Sequence, residues 1–148
     1  MIRPLAAADI ADAALLFEMQ LAEHEVQRSR TEIAASLATL LSAPEQGVVF
    51  VAFSNAKALG VAFGTRILSL EHGGWSGWLD ELYVLPDWRG QKIGSALLDA
   101  VVKEAQARGW KSLDLEVDAA HHRVISLYDR NCFQPVSRRR FVRRIAEE

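Results

Sequence analysis

The stretch Arg89-Gly90-Gln91-Lys92-Ile93-Gly94-Ser95-Ala96-Leu97-Leu98 carries the strongest structural signal in the chain, because it joins a β-run ending at Val84 to an amphipathic helix. Its two glycines allow a tight turn and let the backbone approach a ligand closely. The N–H groups at the start of the helix would point at an anion, with the helix dipole behind them. Arg89 and Lys92 add positive charge. The stretch therefore predicts a turn that binds a pyrophosphate.

Two widespread nucleotide-binding patterns are missing from the sequence. The chain contains neither G-x-x-x-x-G-K-[ST] nor G-x-G-x-x-G. Neither a P-loop nucleotide hydrolase nor a Rossmann dinucleotide-binding domain is therefore indicated. The phosphate-binding turn must belong to a different kind of fold.

Two helices are predicted upstream of this turn. The first follows Pro4 and is marked by apolar residues at helical spacing, which are Ile10, Ala14, Phe17 and Leu21. Ser29 and Glu32 have the spacing of a capping box for the second helix, and Pro44 ends that helix. No linker divides these elements from the rest of the chain.

The remaining pattern predicts a sheet. Residues 48–53 and 58–68 flank a short turn and predict a hairpin, and residues 78–85 predict the next strand. A helix follows Gly94 and ends at Gly109. Residues 113–117 alternate as in a half-buried strand, and a further helix and a short C-terminal strand or hairpin at 133–145 complete the order. This order predicts an α/β fold with a mixed sheet.

The 89–98 stretch resembles motif A of the GNAT superfamily of acyl-CoA-dependent N-acyltransferases, whose pattern is Gln/Arg-x-x-Gly-x-Gly/Ala. Arg89 and Gly94 match the pattern, and Lys92 takes the place of its first glycine. Residues 79–88, Leu-Asp-Glu-Leu-Tyr-Val-Leu-Pro-Asp-Trp, are similar to the strand that precedes this motif in the family.

A second family signature, Asn-x-x-Ala-x-x-Leu-Tyr followed by Gly-Phe, resembles residues 121–133. Leu127, Tyr128 and Phe133 match it. Three positions differ, since histidine, valine and cysteine replace the family's Asn, Ala and Gly at His121, Val124 and Cys132. The resemblance extends more weakly over nearly the whole chain, which implies a single domain at residues 1–148.

The resemblance implies a mixed, mostly antiparallel sheet with splayed central strands, flanked by helices on both faces. It also implies acetyl-CoA as the cosubstrate and a backbone N–H near Val84 that polarises the thioester carbonyl. The residues expected to bind the cosubstrate are Leu82, Val84, Arg89, Gly90, Gln91, Lys92, Ile93, Gly94, Ser95, Ala96 and His121.

Three side chains are candidates for proton transfer. Tyr128 is the expected acid, because a phenol stays protonated at neutral pH and can donate to a departing thiolate. Asp80 and Glu81 point to opposite faces of a regular strand, so that at most one of them can enter the cleft directly. The family resemblance favours Asp80 as the base, with Glu81 as the second choice. An ordinary charged strand end is the alternative interpretation of this acidic pair.

The acceptor is less well defined by the sequence. Glu23 and Glu25 lie in a segment that faintly resembles polyamine and thialysine acetyltransferases, and they are candidates for binding a cationic substrate; a solvated helix end is the alternative. Trp78, with Trp75, follows glycines in a predicted loop and is a candidate wall of the acceptor site, with core packing or a subunit contact as alternatives.

The sequence therefore predicts an N-acetyltransferase that acts by direct transfer on a primary amine of a small molecule, such as a polyamine or amino acid. The alternatives are a protein or peptide acetyltransferase that modifies N-termini or lysines, and a non-catalytic CoA-binding sensor or scaffold. A homodimer is left open.

Composition excludes several other classes. The chain has 148 residues, half of them hydrophobic, and a formal charge of −2, so disorder and a general polyanion-binding surface are not indicated. A single cysteine, no metal-ligand spacing and no signal-peptide core predict a cytoplasmic protein without metal or membrane partner. The arginines at 138–144 alternate with apolar residues and are interpreted as a guarded edge strand rather than as a nucleic-acid site.

Overall fold

The computed structural model describes residues 1–146, except for the side chains of residues 119 and 120. The chain forms two compact units, of which the first is Met1–Glu116 and the second begins at Val117. The first unit contains strands β1 Ile2–Pro4, β2 Gly47–Ser54, β3 Lys57–Ser69, β4 Gly74–Val84 and β5 Leu113–Leu115, and helices α1 Ile10–Glu23, α2 Arg30–Ser42 and α3 Ile93–Ala107. The second unit contains helix α4 Ile125–Arg130.

The five strands form one sheet in the order β1-β2-β3-β4-β5. Neighbours are antiparallel except β4 and β5, which are parallel. The β4–β5 ladder ends at the pair Leu79 and Leu115, whereas β4 continues to Val84. The central strands therefore separate over the last part of β4, and the mixed, mostly antiparallel sheet with a splay is confirmed.

Helices cover both faces of the sheet. On one face, α1 and α2 pack against Val49, Val51 and Phe53 of β2 through buried apolar side chains such as Phe17 and Ile33. On the other face, Val101 of α3 lies within ordinary contact distance of the position that a Cβ on Gly64 would take, beside Val48. The alternation of β2 thus supplies two cores, and the second core holds α3 and its N-terminus against the sheet.

A β-bulge interrupts the pairing of β3 with β4. Phe63 pairs with Glu81 and the next residue, Gly64, pairs with Leu79, so that Asp80 is the extra residue on β4. The regular alternation that was expected to send Asp80 and Glu81 to opposite faces therefore does not hold here. The bulge lies where β4 leaves its β5 partner.

Most elements of the first unit match the sequence prediction. The capping box is present, since Glu32 N donates to Ser29 Oγ at 3.1 Å and Ser29 N donates to Glu32 Oε1 at 3.2 Å. The β2–β3 hairpin turns at Asn55 and Ala56, both with positive φ. Gly109, at φ +74, follows α3 as expected.

The predicted loop before Trp78 is wrong, because β4 begins at Gly74 and already contains Trp75; the strand position predicted for Trp78 is confirmed. Gly77 lies within the strand, and the ring of Trp110 packs against its backbone. A Cβ at this position would lie 2.3 Å from a ring carbon, so that no larger residue fits here without a shift of the ring. The glycine marks close packing rather than a turn. The fifth strand is shorter than the predicted 113–117, since it ends at Leu115.

The predicted C-terminal strand or hairpin is also wrong, because residues 133–146 contain no strand. A strand forms when burial of one face offsets the entropy of ordering the chain. Here the large apolar side chains remain mostly exposed, at 76% for Val136, 88% for Phe141, 67% for Val142 and 86% for Ile145. Within residues 1–146, no helix has both the length and the apolar character that crossing a membrane requires.

Candidate active site

The turn between β4 and α3 presents a row of free backbone donors. Within the described residues, none of the six N–H groups from Gly90 to Ser95 has a hydrogen-bond acceptor; the first bonded amide is Ala96, which donates to the Lys92 carbonyl at 3.0 Å. We call residues 90–95 the phosphate cradle. Successive free N–H groups at a helix N-terminus form an anion-binding site.

The local sequence explains why these donors stay free. Lys92 is the N-cap of α3 and its side chain makes no cap hydrogen bond, and the first turn contains no acidic residue. Gly90 has φ +77 and Lys92 has φ +65, so that the backbone curls at both positions. A helix normally begins with a side-chain oxygen on its first amides, and here an external anion could take that position.

Arg89 is held by three groups outside the cradle. Its Nε donates to the Val84 carbonyl at 2.9 Å, and its Nη2 donates to Glu23 Oε1 at 3.0 Å. The guanidinium also lies 5.3 Å from the centre of the Tyr83 ring. The structure thus joins the end of α1, the end of β4 and the start of the cradle through one side chain.

Tyr83 forms the buried side of this junction, whereas Glu23 is exposed. Tyr83 is 4% exposed, and burial raises the pKa of its phenol, with a further rise from the Glu23 carboxylate. Glu23, a candidate for binding the acceptor, accepts a hydrogen bond from Arg89, and its role toward the acceptor stays a prediction. Glu25, the other acidic candidate, is exposed just after α1 with φ +61.

Glu81 has the most perturbed carboxyl group near the splay. Desolvation by burial, followed by repulsion from Asp80, raises the pKa of Glu81 from 4.5 to about 7. Asp80 is exposed, and its Oδ2 accepts a hydrogen bond from Thr65 Oγ1 on β3 at 2.5 Å. The bulge therefore brings together a solvated carboxylate and a half-buried carboxyl group that titrates near neutrality.

The end of β4 carries two carbonyls that accept from side chains. Gln20 Nε2 donates to the Leu82 carbonyl at 3.3 Å, and Arg89 Nε donates to that of Val84. Gln20 is 5% exposed, and its Oε1 atom is buried without a hydrogen-bond donor among the described residues. The open side of β4 is thus lined by polar groups.

Tyr128 and His121 belong to the second unit. Tyr128 lies in α4 and packs edge-on against Phe133, with ring centres 5.7 Å apart. His121 N donates to the Asp118 carbonyl at 2.8 Å, and its Nδ1 lies 4.0 Å from the Asp118 carboxylate. Cys132, which takes the place of the family's glycine, has φ +67.

The tryptophans of β4 have different surroundings. Trp78 is half-buried and pairs with Thr65 and Asp114. Trp75 lies under the Arg66 guanidinium, 3.9 Å from the ring centre, in a cleft of about 400 Å³ lined by Pro44, Glu45, Arg66, Trp75, Arg108 and Trp110. Arg108 is at the opposite end of α3 from the cradle, about 20 Å along the helix.

Sequence reasoning missed Gln20, Tyr83 and Thr65. Gln20 could have been found, because it is a polar residue on the apolar stripe of α1 that contains Ala13, Leu16 and Phe17. Thr65 carried no such signal, since its contact with Asp80 depends on the β3–β4 register.

Comparison with known proteins gives matches among acetyltransferases. A family model described as the acetyltransferase (GNAT) family matches residues 13–132. Mycothiol acetyltransferase of Propionibacterium freudenreichii subsp. shermanii is 42% identical over 60 residues, which are 38% of this chain and 19% of that protein. Aminoalkylphosphonate N-acetyltransferase of Salmonella typhimurium is 37% identical over 68 residues, which are 46% of this chain and 44% of that protein. The chain thus spans less than half the length of either relative.

A solved structure shares the fold. It is described as a predicted acetyltransferase with acetyl-CoA from Clostridium acetobutylicum, and it superposes with a TM-score of 0.81 at 19% identity, covering 97% of this chain and 95% of that chain. At this identity the likeness concerns the fold alone. Neither curated relative is a spermidine or thialysine acetyltransferase, so that fainter resemblance stays a prediction. The family model covers most of the chain, including β4, the cradle and α3, and the protein belongs to the acetyltransferase (GNAT) family.

Proposed function

We propose that this protein transfers the acetyl group of acetyl-CoA directly to a primary amine of a small molecule. The observation that carries the proposal is the row of free N–H groups at the phosphate cradle, which suits a diphosphate. The names of the two curated relatives support an acetyl acceptor of small size, an aminoalkylphosphonate in one of them.

The residues present fit acetyl-CoA. Two positive-φ residues and the uncapped helix start make a concave turn of donors for its pyrophosphate, and the separation of β4 from β5 leaves an open strand edge beside that turn. When bound, acetyl-CoA supplies the acetyl group as a thioester with a good leaving group. All further steps depend on this chain's own residues.

The backbone of β4 is the proposed donor to the thioester oxygen. In an antiparallel strand, the N–H and C=O of one residue point to the same side. Because the carbonyls of Leu82 and Val84 accept from Gln20 and Arg89 rather than only from β3, we infer that their N–H groups also face the open edge. Removing such a donor typically costs about 100-fold in kcat.

Glu81 is the proposed general base. An alkyl ammonium has a pKa near 10.4 and must lose a proton before its nitrogen can attack. A carboxylate with a pKa of about 7 is a stronger base than a solvated one, and it is ionised at slightly alkaline pH. Glu81 takes a proton from the ammonium, directly or through water, and the neutral nitrogen then attacks the thioester carbonyl to form the C–N bond. Asp80, which the sequence favoured, acts on Glu81 through its charge.

Tyr128 is the proposed acid, on the strength of the family resemblance. Its phenol would give a proton to the sulfur when the C–S bond breaks, so that CoA leaves as a thiol. The second proton that the nitrogen loses on becoming an amide restores the Tyr128 phenol through solvent, and the proton accepted by Glu81 is released to solvent. No metal ion and no covalent acyl-enzyme is part of this proposal.

The test is free-thiol release from acetyl-CoA with aminoalkylphosphonates, polyamines, amino acids, aminoglycosides and short peptides. We expect turnover with a small amine, a loss of about 100-fold or more in kcat in Glu81→Gln, and an unchanged affinity for CoA measured by calorimetry. Tyr128→Phe should also lower kcat.

Three results would contradict the proposal in different ways. Turnover with peptides alone would establish a peptide acetyltransferase. Tight CoA binding without turnover on any amine would favour a CoA-binding sensor. No binding of CoA would remove the assignment of the cradle itself.

A further inference from the structure

The two cations beside the phosphate cradle differ in their partners. Arg89 is neutralised by Glu23 and fixed by the Val84 carbonyl. The ammonium of Lys92 is exposed, and no described residue forms a hydrogen bond or ion pair with it. Among the described residues, the positive charge of Lys92 is therefore not paired with a carboxylate, whereas that of Arg89 is. From the motif alone, Arg89 would be the more obvious phosphate contact.

The backbone of Lys92 is held in an unfavourable conformation. With φ +65 and ψ +14, it lies in the left-handed region, where the Cβ of an L-residue crowds the following carbonyl. Glycine would adopt this conformation without that crowding. Strained residues of this kind cluster at ligand-binding sites, although they also occur in turns such as that of Ala56, at φ +64. Lys92 differs from Ala56 in placing an exposed cation beside the free amides of the cradle.

We propose that Lys92, and not Arg89, is the charged contact of the pyrophosphate, and that its left-handed backbone is the stability cost of placing a cation there. As the N-cap residue, Lys92 adjoins the same free amides that would bind the pyrophosphate. Arg89 is then a positioning residue that holds the turn on α1 and β4. This inference rests on the proposed function, because it assumes that the cradle binds acyl-CoA.

The experiment compares Lys92→Gly, Lys92→Ala and Lys92→Arg with the unaltered protein. CoA and dephospho-CoA binding are measured by calorimetry at several salt concentrations, and stability is measured by urea unfolding without ligand. We expect Lys92→Gly to raise the urea midpoint while weakening CoA binding about tenfold and flattening its salt dependence. Lys92→Ala should lose the same affinity without gaining stability, and Lys92→Arg should retain affinity.

Ala56→Gly is the matched control, because Ala56 has φ +64 in the β2–β3 turn and carries no charge. It should raise the urea midpoint and leave CoA binding unchanged. The affinity loss in Lys92→Gly should be equal for CoA and dephospho-CoA, since both contain the pyrophosphate.

The inference is overturned if Lys92→Gly binds CoA as tightly as the unaltered protein, with the same salt dependence. A loss confined to CoA would move the contact to the 3′-phosphate and would also overturn it. A lower urea midpoint in Lys92→Gly would show that the left-handed backbone of Lys92 does not reduce stability, and this part of the inference would then be wrong. These results differ from failure of the proposed function, in which the unaltered protein itself does not bind CoA.

Discussion

A half-buried carboxyl group beside a second carboxylate titrates far from its ordinary range, and Glu81 in β4 is such a group. Burial is the larger cause of its raised pKa and Asp80 the smaller one. The two residues therefore have separable effects, because the first cause belongs to the position of Glu81 in the fold and the second to a neighbouring side chain that can be replaced.

Asp80→Asn should lower the pKa of Glu81, because it removes the repulsion that disfavours the charged form. In the unaltered protein, kcat/KM should rise with pH up to a plateau, with a midpoint near the Glu81 pKa of about 7. The substitution should move that midpoint to lower pH while the plateau remains measurable. The measurement is a pH profile of kcat/KM with the best amine substrate.

An unchanged midpoint in Asp80→Asn would argue against Glu81 as the titrating base. Loss of all activity in Asp80→Asn, with a normal profile in Glu81→Gln, would return the base to Asp80. Thr65→Val is a useful companion, since it removes the hydrogen bond to Asp80 without changing the charge.

At the scale of the elements, sequence patterns predicted what local periodicity and capping decide. The capping box at Ser29, the β2–β3 hairpin and the helix after the cradle all follow from nearest-neighbour chemistry. The bulge at Asp80 and the Glu23–Arg89 contact did not follow, because they depend on strand register and on packing between distant segments. The sequence predicted the phosphate-binding turn, but it did not predict the side-chain contacts that hold this turn in place.

Gly77 was interpreted from the sequence as part of a loop, and the structure shows that it allows close packing against Trp110. Gly77→Ala should destabilise the fold by about 1 to 3 kcal/mol, because its Cβ would lie 2.3 Å from the ring of the buried Trp110. Gly64→Ala, also in a strand, should cost less, since its Cβ would come no nearer than 3.3 Å to the Trp78 carbonyl oxygen. Urea unfolding of both variants measures the difference. Equal losses would show that the Trp110 contact adjusts freely.

At the scale of the whole molecule, stability and activity should depend on pH in opposite directions. Glu81 has a higher pKa in the folded chain than in the unfolded one, so the folded state binds more protons between pH 4.5 and about 7. Stability therefore falls as pH rises through this interval, by up to about 3 kcal/mol. Asp9 behaves in the opposite way, because its hydrogen bonds with Arg3 lower its pKa in the folded chain. Its contribution to the unfolding free energy is therefore lost as the carboxylate is protonated in acid.

The unfolding free energy, measured from pH 4 to pH 8, should thus be greatest in mildly acidic solution, below the pH at which kcat/KM reaches its plateau. In Glu81→Gln the decline between pH 4.5 and 7 should largely disappear, since glutamine does not titrate. Parallel curves for the two proteins would mean that Glu81 has an ordinary pKa in the fold.

Two positions at which the family pattern has glycine have a left-handed backbone in this chain, although neither is a glycine. Lys92 has φ +65 and Cys132 has φ +67. At both sites the turn requires a dihedral angle, and a residue other than glycine adopts it here. A search pattern that demands glycine at both positions would pass over this chain, whereas one written in backbone angles would recognise it.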